Sequence, residues 1–291
     1  MLGKLLVEEG ERVVCVISRS KTSAQKAGRF LRCRNTSTAL TAVPPDTNLI
    51  LVTTPHGAIE EVAGALARAE HLDFRRLAVC HASGMLTSDA LKPLQEKGAT
   101  VFSFHPLQTF PRDFEPRDIV GRARGIYYGV DGSPKGLRKA RQLARKLGGN
   151  VIEIQPGLRV FYHAACVVAS NHLTTLLWIL ETMFQTLRTH EKEFYRVFKP
   201  IVMATLHNIE NTSPARALSG PVARGGVETL ADHLASIKTY APGLISYFSQ
   251  LSEETVKLAL VKGSINDMQA AALNNCIQSY RDSHVNAKDY H

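Results

Sequence analysis

Short apolar runs alternate with helical patterns through the first half of the chain. Runs with the length and β-branched content of buried strands cover residues 12–17, 47–53, 77–81, 99–104, 125–130 and 150–154. Between them, residues 59–69 carry apolar side chains at the i, i+3, i+4, i+7 spacing of an amphipathic helix, and residues 134–147 are also helical in pattern. Strands buried on both faces and separated by helices predict a parallel sheet with helices on both sides.

The pattern changes at Pro156-Gly157. Residues 158–187 contain no glycine or proline and are apolar almost all round, which is typical of a helix at the centre of a bundle. Helical periodicity continues to the end of the chain without a recognisable strand. We therefore predict an α/β domain over residues 1–156 and an all-helical domain over residues 157–291.

The strand over residues 12–17 ends in Ser18-Arg19-Ser20. In a dinucleotide-binding sheet the second strand ends at the adenosine ribose, where an acidic residue selects NAD, and arginine with hydroxyl groups accommodates the 2′-phosphate of NADP. The alternative is an ordinary polar loop after a strand. Because the segment lies one helix and one strand from the start of the chain, its position favours the NADP interpretation.

The elements that precede this strand in a dinucleotide fold are missing. Such a fold begins with a strand and a G-x-G-x-x-G loop, whereas this chain begins inside the following helix, and Gly3 alone cannot form the loop. A missing central strand would leave backbone groups unpaired on two neighbouring strands. We therefore expect a true start upstream of Met1 rather than a degenerate domain, and weak NADP binding by the 291-residue chain as it stands.

Polar side chains follow three of the predicted strands. Ligands of open α/β sheets bind beyond the carboxyl ends of the strands, where histidines and hydroxyl groups can contact a carbonyl or carry a proton near neutral pH. Alternatively, these histidines only support loop backbone. The candidates are Thr53, Thr54, Pro55, His81, Ser83 and His105.

Polar residues also interrupt the long apolar helix. At about 100° per residue, Arg159, His163 and Ser170 fall on one stripe, with Asn171 at its border. Polar groups on an apolar helix must find partners or line a cavity, so the stripe marks either a site or a buried polar network. Arg224, in the glycine-rich loop over residues 220–226, could reach an anionic group or merely cap a helix.

Composition excludes several classes of protein. The five cysteines are scattered and never spaced as CxxC, so we predict neither a disulfide framework nor a metal site, and a reducing cytoplasm fits best. No apolar stretch is long and uninterrupted enough to predict a membrane span. The net charge of +9 is spread along the chain without interleaved aromatic residues, which makes nucleic acid an unlikely partner.

The order of several short segments resembles an uncharacterised family of Rossmann-like proteins with a helical C-terminal domain of unknown function. The matching segments are His81-Ala82-Ser83-Gly84, His105-Pro106-Leu107, Tyr162-His163-Ala164-Ala165, Ser170-Asn171 and Gly220-Pro221-x-x-Arg224-Gly225. The family is similar to the 6-phosphogluconate dehydrogenase, ketopantoate reductase and pyrroline-5-carboxylate reductase group. The resemblance implies NADP-dependent chemistry on a small carbonyl, imine or hydroxy compound, with the helical domain closing the site and forming a homodimer. Where the family has an acidic residue after Arg-Gly, this chain has Gly226.

We therefore expect an NADP-dependent oxidoreductase acting on a small anionic substrate at an interdomain cleft. The 2′-phosphate would be held by Ser18, Arg19 and Ser20. Further contacts to the cofactor would come from residues 53–55, His81 and Ser83. Either His105 or His163 would donate the proton while the other positions the substrate, with Ser170, Asn171 and Arg224 as substrate contacts. The alternative is a non-catalytic ligand-binding or assembly protein on a degenerate Rossmann fold.

Overall fold

The computed structural model describes residues 1–111 and 120–282. The chain divides into two compact units, Met1–Leu173 and a second that begins at Thr174. The first unit therefore extends beyond residue 156, where the sequence places the domain boundary. Its strands are β1 (Val16–Ile17), β2 (Thr36–Ser37), β3 (Leu49–Val52), β4 (Ala78–His81), β5 (Thr100–Pro106), β6 (Tyr127–Gly132) and β7 (Asn150–Glu153).

Helices flank these strands in the first unit. They are α1 (Leu2–Glu8), α2 (Lys21–Leu31), α3 (Ile59–Leu66), α4 (Lys92–Glu96), α5 (Pro134–Lys146) and α6 (Arg159–Val167). Side chains alternate across the sheet, so that Phe102 and Phe104 face α1 and α5, whereas Val79 and Val101 face α3 and α4. The two faces carry separate apolar cores, as expected for a sheet covered on both sides.

The strands form two sheets rather than one. Parallel β1 and β2 form a pair, and β3, β4, β5, β6 and β7 form a five-stranded sheet in that order. Within the larger sheet β3, β4 and β5 are parallel, β6 is antiparallel to β5, and β7 is parallel to β6. The parallel-dominated Rossmann-like fold predicted from the sequence is confirmed, with β6 and β7 running opposite to β3, β4 and β5.

A cavity of about 1510 Å³ is lined by β1 of the smaller sheet and by β3 of the larger sheet. Each of these strands has one neighbour in its sheet, β2 and β4 respectively, and no described strand pairs with its other edge. The predicted strand over residues 12–17 is paired only at Val16 and Ile17, because Thr36 and Ser37 are its only ladder partners in the described chain. The structure thus has the gap that a missing central strand predicts.

The second unit is helical. Its helices are α7 (Leu173–Thr186), α8 (Phe194–Asn211), α9 (Pro214–Ala217), α10 (Val227–Tyr240), α11 (Ile245–Lys262) and α12 (Asp267–Asp282). Leu230, Leu234, Val256 and Leu273 lie at the centre of a core built by α10, α11 and α12. Residues 158–282 contain no strand, as predicted, and the end of the predicted helical region lies outside the described residues.

The long helix predicted over residues 158–187 is interrupted by a π-helical turn, Val168–His172, between α6 and α7. The stretch Pro156–Thr186 is long and apolar enough to cross a membrane, with a mean hydropathy of 1.3. Its first part nevertheless packs on the sheet of the first unit, where Arg159 is 1% exposed. One helix of this composition is weak evidence for a membrane span because core helices share it.

Candidate functional site

The loop after β4 is held in place by the side chains of His81 and Ser83. The Nδ1 atom of His81 accepts from the backbone N–H of Ser83 at 3.2 Å, and Nε2 bonds the carbonyl oxygen of Thr87 at 2.9 Å. The hydroxyl oxygen of Ser83 accepts from the N–H groups of Met85 and Leu86, both at 3.2 Å. Both ring nitrogens of the buried His81 are therefore used by loop backbone, which places Gly84 at the tip of a rigid turn.

A buried ion pair joins this loop to the sheet and to α6. The Nη1 atom of Arg159 lies 3.3 Å from Oδ2 of Asp131, and the two side chains are 1% and 2% exposed. Arg159 also donates through Nη2 to the carbonyl oxygens of Ser83 at 3.0 Å and Gly129 at 3.3 Å. A single guanidinium group thus fixes the start of α6 against the β4 loop and β6.

The carboxylate of Asp131 is itself fully engaged. Ser103 donates its hydroxyl to Oδ2 at 2.5 Å, and the backbone N–H of Ser88 donates to Oδ1 at 2.6 Å. The N–H of Asp131 in turn donates to the Ser103 hydroxyl oxygen at 2.9 Å. Because a buried charge is tolerated only when it is paired and hydrogen-bonded, the contacts to Ser103, Ser88 and Arg159 offset the cost of burying the Asp131 side chain.

Two histidines and a tyrosine meet above Gly84. The His105 Nδ1 atom lies 2.9 Å from the Tyr162 hydroxyl, and the rings of His105 and His163 lie 6.0 Å apart, centroid to centroid. A Cβ atom on residue 84 would lie 2.5 Å from Nδ1 of His163 and 2.9 Å from Nε2 of His105. Glycine is therefore required at position 84 for the two imidazoles to approach the loop.

Burial keeps the His105 ring neutral. It lowers the pKa of His105 to about 4, and the neighbouring Arg159, His163 and His81 act in the same direction. Burial also raises the pKa of the Tyr162 hydroxyl above its usual value. At neutral pH the pair is therefore a neutral imidazole beside a protonated phenol, and His105 can exchange hydrogen bonds without carrying a charge.

The cavity between β1 and β3 brings together several residues predicted to contact a cofactor. Its lining includes Ser18 and Arg19 after β1, Thr53 and Thr54 after β3, and His105 at the end of β5. Ser20 caps α2 by accepting from the N–H of Ser23 at 3.2 Å. This cavity is not lined by Ser20, Pro55, His81 or Ser83.

The polar stripe predicted on the long helix is buried at its first residue and exposed at its last. Arg159 is buried, His163 and Ser170 are partly buried, and Asn171 is exposed. Ser170 and Asn171 both lie in the π-helical turn, a local geometry that occurs frequently at functional sites. Arg224 ends a 3₁₀ turn, Val222–Arg224, in the second unit. Its predicted role as a substrate contact stays a prediction.

Sequence reasoning gave no role to Asp131, Ser103 or Tyr162. A signal for Asp131 is present, because it is the charged residue directly after the apolar strand pattern that ends at Val130. Arg159 opens an apolar helix and is its matching charge. The pairing of two lone charges, each next to an apolar element, could have been inferred from the cost of burying either one alone.

The fold and the domain matches agree on a class of protein. Residues 1–106 match the model of a Rossmann-like domain, and residues 126–255 match the model of a domain of unknown function, DUF2520. The predicted combination of a Rossmann-like domain with a helical C-terminal domain of unknown function is confirmed. No curated protein matches the sequence.

Solved structures with the same fold include a protein from Bacteroides fragilis provisionally named as an NADP oxidoreductase. It is 21% identical with a TM-score of 0.67, and the alignment covers 88% of this chain and 93% of that one. An imine reductase from Myxococcus stipitatus in complex with NADP⁺ is 13% identical, with a TM-score of 0.55 and coverage of 97% and 90%. A pyrroline-5-carboxylate reductase from Coxiella burnetii is 13% identical, with a TM-score of 0.53 and coverage of 97% and 93%. At these identities the likeness establishes the fold.

Proposed function

We propose that this protein is an NADP(H)-dependent oxidoreductase acting on a small anionic carbonyl, imine or hydroxy compound. The observation that carries the proposal is the shared cavity, where Ser18 and Arg19 lie with Thr53, Thr54 and His105. A basic residue and a hydroxyl at the end of β1 suit a 2′-phosphate, and the ends of β3 and β5 suit the rest of a dinucleotide. The NADP⁺ complex of the imine reductase with the same fold supports the choice of cofactor.

The described residues fit the two ends of NADP(H) better than its centre. Ser18 and Arg19 would hold the 2′-phosphate, and Thr53 and Thr54 would lie along the ribose. A glycine-rich turn before a helix normally holds the pyrophosphate. Gly3 does not provide one, because the position of its Cβ lies 3.3 Å from the Leu31 side chain, so it serves the packing of α1 on α2.

The remaining roles follow from the geometry beside the cavity. When bound, the cofactor supplies the hydride, and the protein supplies orientation and proton transfer. His105 and His163 converge on Gly84, so one contacts the reacting group of the substrate and the other positions it. Asp131 and Arg159 hold the loop and α6 in register, and Ser170 and Asn171 continue the polar face of that helix toward the substrate.

Nucleotide titration tests the proposal. NADPH should saturate the protein more tightly than NADH, followed by nucleotide fluorescence, and Arg19→Glu should reduce that preference by about tenfold or more because a charge-assisted contact is replaced by repulsion. Arg68→Glu, at an exposed position that does not line the cavity, is the matched control. Equal affinities for the two nucleotides, or an unchanged preference in Arg19→Glu, would contradict the 2′-phosphate site.

A non-catalytic ligand-binding protein is the second candidate, favoured by the lack of a pyrophosphate loop among the described residues. A non-catalytic function predicts that NADPH binds saturably and that no substrate is turned over. Screening oxo-acids and cyclic imines with NADPH, and hydroxy acids with NADP⁺, separates the two functions. Oxidation or reduction of any of these substrates, lost in both His105→Ala and His163→Ala, would exclude the non-catalytic candidate.

We also propose that the protein forms a homodimer through an apolar surface of the second unit. In α7, α8 and the segment that joins them, Trp178, Leu187 and Ile201 are 62%, 63% and 63% exposed. No residue of α8 is buried. The exposed apolar side chains of α7 and α8 amount to an area on the order of 800 Å², about what one partner of a stable interface buries.

A second copy of the chain accounts for this surface better than a bilayer, because α8 mixes its apolar residues with Arg196, Lys199 and Glu210. Light scattering coupled to gel filtration should give twice the monomer mass, and Ile201→Glu should give the monomer mass. Val261→Glu, which changes a more exposed aliphatic residue on α11, should remain dimeric. A monomer mass for the wild-type protein would overturn the dimer. Sedimentation of the protein with liposomes would instead show that a bilayer covers this surface.

A further inference from the structure

Positive charge is concentrated in one stretch of the first unit. Residues 12–45 contain no aspartate or glutamate and carry seven lysines and arginines, so most of the net charge of +9 belongs to this stretch. The even spread of charge inferred from the sequence therefore does not hold here. The stretch includes β1, α2 and β2. A concentration of one sign of charge raises the local potential and attracts ligands of the opposite sign.

Three of these charges meet at the C-terminal end of α2. Arg29, Arg32 and Arg34 line one hollow of about 630 Å³, which we call the arginine hollow. All three residues are exposed. None of them forms an ion pair or a side-chain hydrogen bond with any other residue in the described part of the chain. The arginine hollow therefore combines three guanidinium groups without a carboxylate to neutralise them.

Neutralisation of the helix terminus accounts for only part of this charge. The carbonyl groups at the end of a helix carry about half of a negative elementary charge, which one nearby cation balances. Arg29 lies in the last turn of α2 and is placed to do this. Arg32 and Arg34 bring two more guanidinium groups to the same hollow, where like charges repel one another. An anion with several negative charges would relieve that repulsion.

The backbone at Arg32 supports a role for its side chain. Arg32 is the C-cap of α2 and has a φ of 56°, in the left-handed region. Glycine is favoured at such a helix end, because a side chain is strained in this conformation. The turn is closed by backbone, with the N–H of Cys33 donating to the carbonyl oxygen of Gly28 at 2.8 Å. The fold itself therefore does not require arginine at position 32.

The arginine hollow is separate from the cavity between β1 and β3. The two share no lining residue: Ser23 and Ala27 of α2 line the large cavity, whereas Gln25 and Arg29 line the hollow. With 11 residues, α2 is about 16 Å long, and Ser20 caps its other end. A ligand in the arginine hollow is therefore about one helix length away from the proposed 2′-phosphate contacts.

We propose that the arginine hollow binds a small molecule that carries two or more phosphate groups. A guanidinium group donates two parallel hydrogen bonds to phosphate oxygens, and three such groups match a chain of phosphates better than a single charge. The volume of the hollow lies in the range of small-molecule sites. Nucleic acid fits less well, because Phe30 lines the large cavity and leaves no aromatic side chain in the hollow for a base to stack on. The site does not depend on the proposed oxidoreductase function.

Calorimetric titration of the full chain with inorganic triphosphate at low salt tests the proposal. We expect saturable binding at one site. Changing Arg29→Gln and Arg34→Gln together should weaken it about tenfold or more, because two charge-assisted contacts are lost. The matched control is Arg138→Gln with Arg145→Gln, which removes the same charge from exposed positions of α5 outside the hollow. It should change the affinity by less than about twofold, since screened surface charges contribute little.

A single change at Arg32 separates ligand binding from folding. Arg32→Gly should weaken triphosphate binding about fivefold or more, because one charge-assisted contact is lost. The unfolding temperature should not fall, because glycine is favoured in the left-handed conformation. A lower unfolding temperature together with an unchanged affinity for triphosphate would assign Arg32 to the fold and overturn the proposal.

Other results would also overturn it. The absence of saturable binding, or equal weakening in the Arg29/Arg34 variant and its control, would leave only non-specific attraction. If Arg19→Gln weakened triphosphate as much as the Arg29/Arg34 variant does, the ligand would belong to the cofactor cavity. Tighter binding of a single-stranded oligonucleotide than of triphosphate, lost in the same variant, would make the hollow a nucleic-acid site. Triphosphate binding as expected in a protein that does not bind NADPH would contradict the proposed function and support this site.

Discussion

The guanidinium of Arg159 lies 3.3 Å from the carboxylate of Asp131, and both side chains are almost completely excluded from solvent. One residue opens α6 and the other lies in β6, so the pair links the helix of the candidate site to its sheet. Two hydrogen bonds of this pair run to the segment after β4 that carries Gly84: Arg159 donates to the Ser83 carbonyl oxygen, and the Ser88 N–H donates to Asp131. The geometry of the histidine cluster therefore depends on this ion pair.

Removing one partner of the pair should be costly. Arg159→Met leaves the buried side chain of Asp131 without its ion-pair partner, and we expect unfolding in urea to show a loss of about 3–5 kcal/mol. Asp131→Asn combined with Arg159→Met should lose much less than the sum of the single changes. Arg124→Met, which removes surface contacts to Glu8 and Glu9, should change stability far less. Equal losses in Arg159→Met and Arg124→Met would contradict the buried pair.

Adding a single methyl group at position 84 should disturb the site. In Gly84→Ala the new Cβ would lie 2.5 Å from His163 Nδ1, so the imidazoles must move. We expect a destabilisation of about 1–3 kcal/mol and shifted histidine resonances in NMR spectra. Gly64→Ala, at a helical position with nothing within 4 Å, should be neutral or stabilising by up to about 1 kcal/mol. A wild-type histidine spectrum for Gly84→Ala would exclude the close approach.

Stability should fall in mild acid because of His105. Its pKa is lowered to about 4 in the folded protein by burial and by the neighbouring Arg159, His163 and His81, while in the unfolded chain it is about 6.5. Between these pH values the unfolded chain binds more protons, so stability is full above pH 6.5 and declines toward pH 4. The slope from this one group is at most about 1.4 kcal/mol per pH unit.

Urea unfolding at several pH values between 7.5 and 4.5 measures this slope. His105→Gln should show a shallower decline than the wild-type protein. A slope will remain, because burial also lowers the pKa of His81 and its protonation opposes folding in the same direction. His190→Gln, at an exposed position, should reproduce the wild-type curve. Identical curves for His105→Gln and the wild-type protein would show that His105 does not titrate differently on folding.

A strand added in front of Met1 should join the two sheets. The cavity between β1 and β3 is bordered by strand edges with which no described strand pairs, so an engineered segment of six β-branched residues followed by G-x-G-x-x-G can pair with both. We expect the unfolding temperature to rise by roughly 5 °C or more and NADPH to bind more tightly. The same segment with its glycines changed to valine should stabilise the fold without improving NADPH affinity. No stabilisation by either segment would argue against a strand-shaped gap.

The spacing of apolar residues along the chain was sufficient to predict most of the fold. Leu49–Val52 and Ala78–His81 lie within the predicted runs because continuous apolar sequence is typical of strands buried on both faces. The direction of β6 could not be predicted, since an apolar run looks the same in a parallel and an antiparallel neighbour. The short β2 was missed because Thr36 and Ser37 are too few to form a pattern.

The candidate site was predicted only as separate residues. His105 and His163 are 58 positions apart in sequence, and only the fold brings them to Gly84. The hydrogen bonds of His81 to loop backbone match the alternative raised for it from the sequence. The role of Tyr162 was not foreseen, because a tyrosine on an apolar helix is usual in a protein core and its partner lies on a distant strand.

The split sheet also has a consequence for the order in which the protein opens. Because β1 pairs only with β2 in the described chain, the segment β1–α2–β2 is tied to the larger sheet by side-chain packing and not by a backbone ladder. Elements connected in this way form separate cooperative units in native-state hydrogen exchange. The amides of Val16 and Ser18, which bond Asn35 and Ser37, would then exchange through local opening of that segment. The backbone amides of β4 and β5 would exchange only through global unfolding.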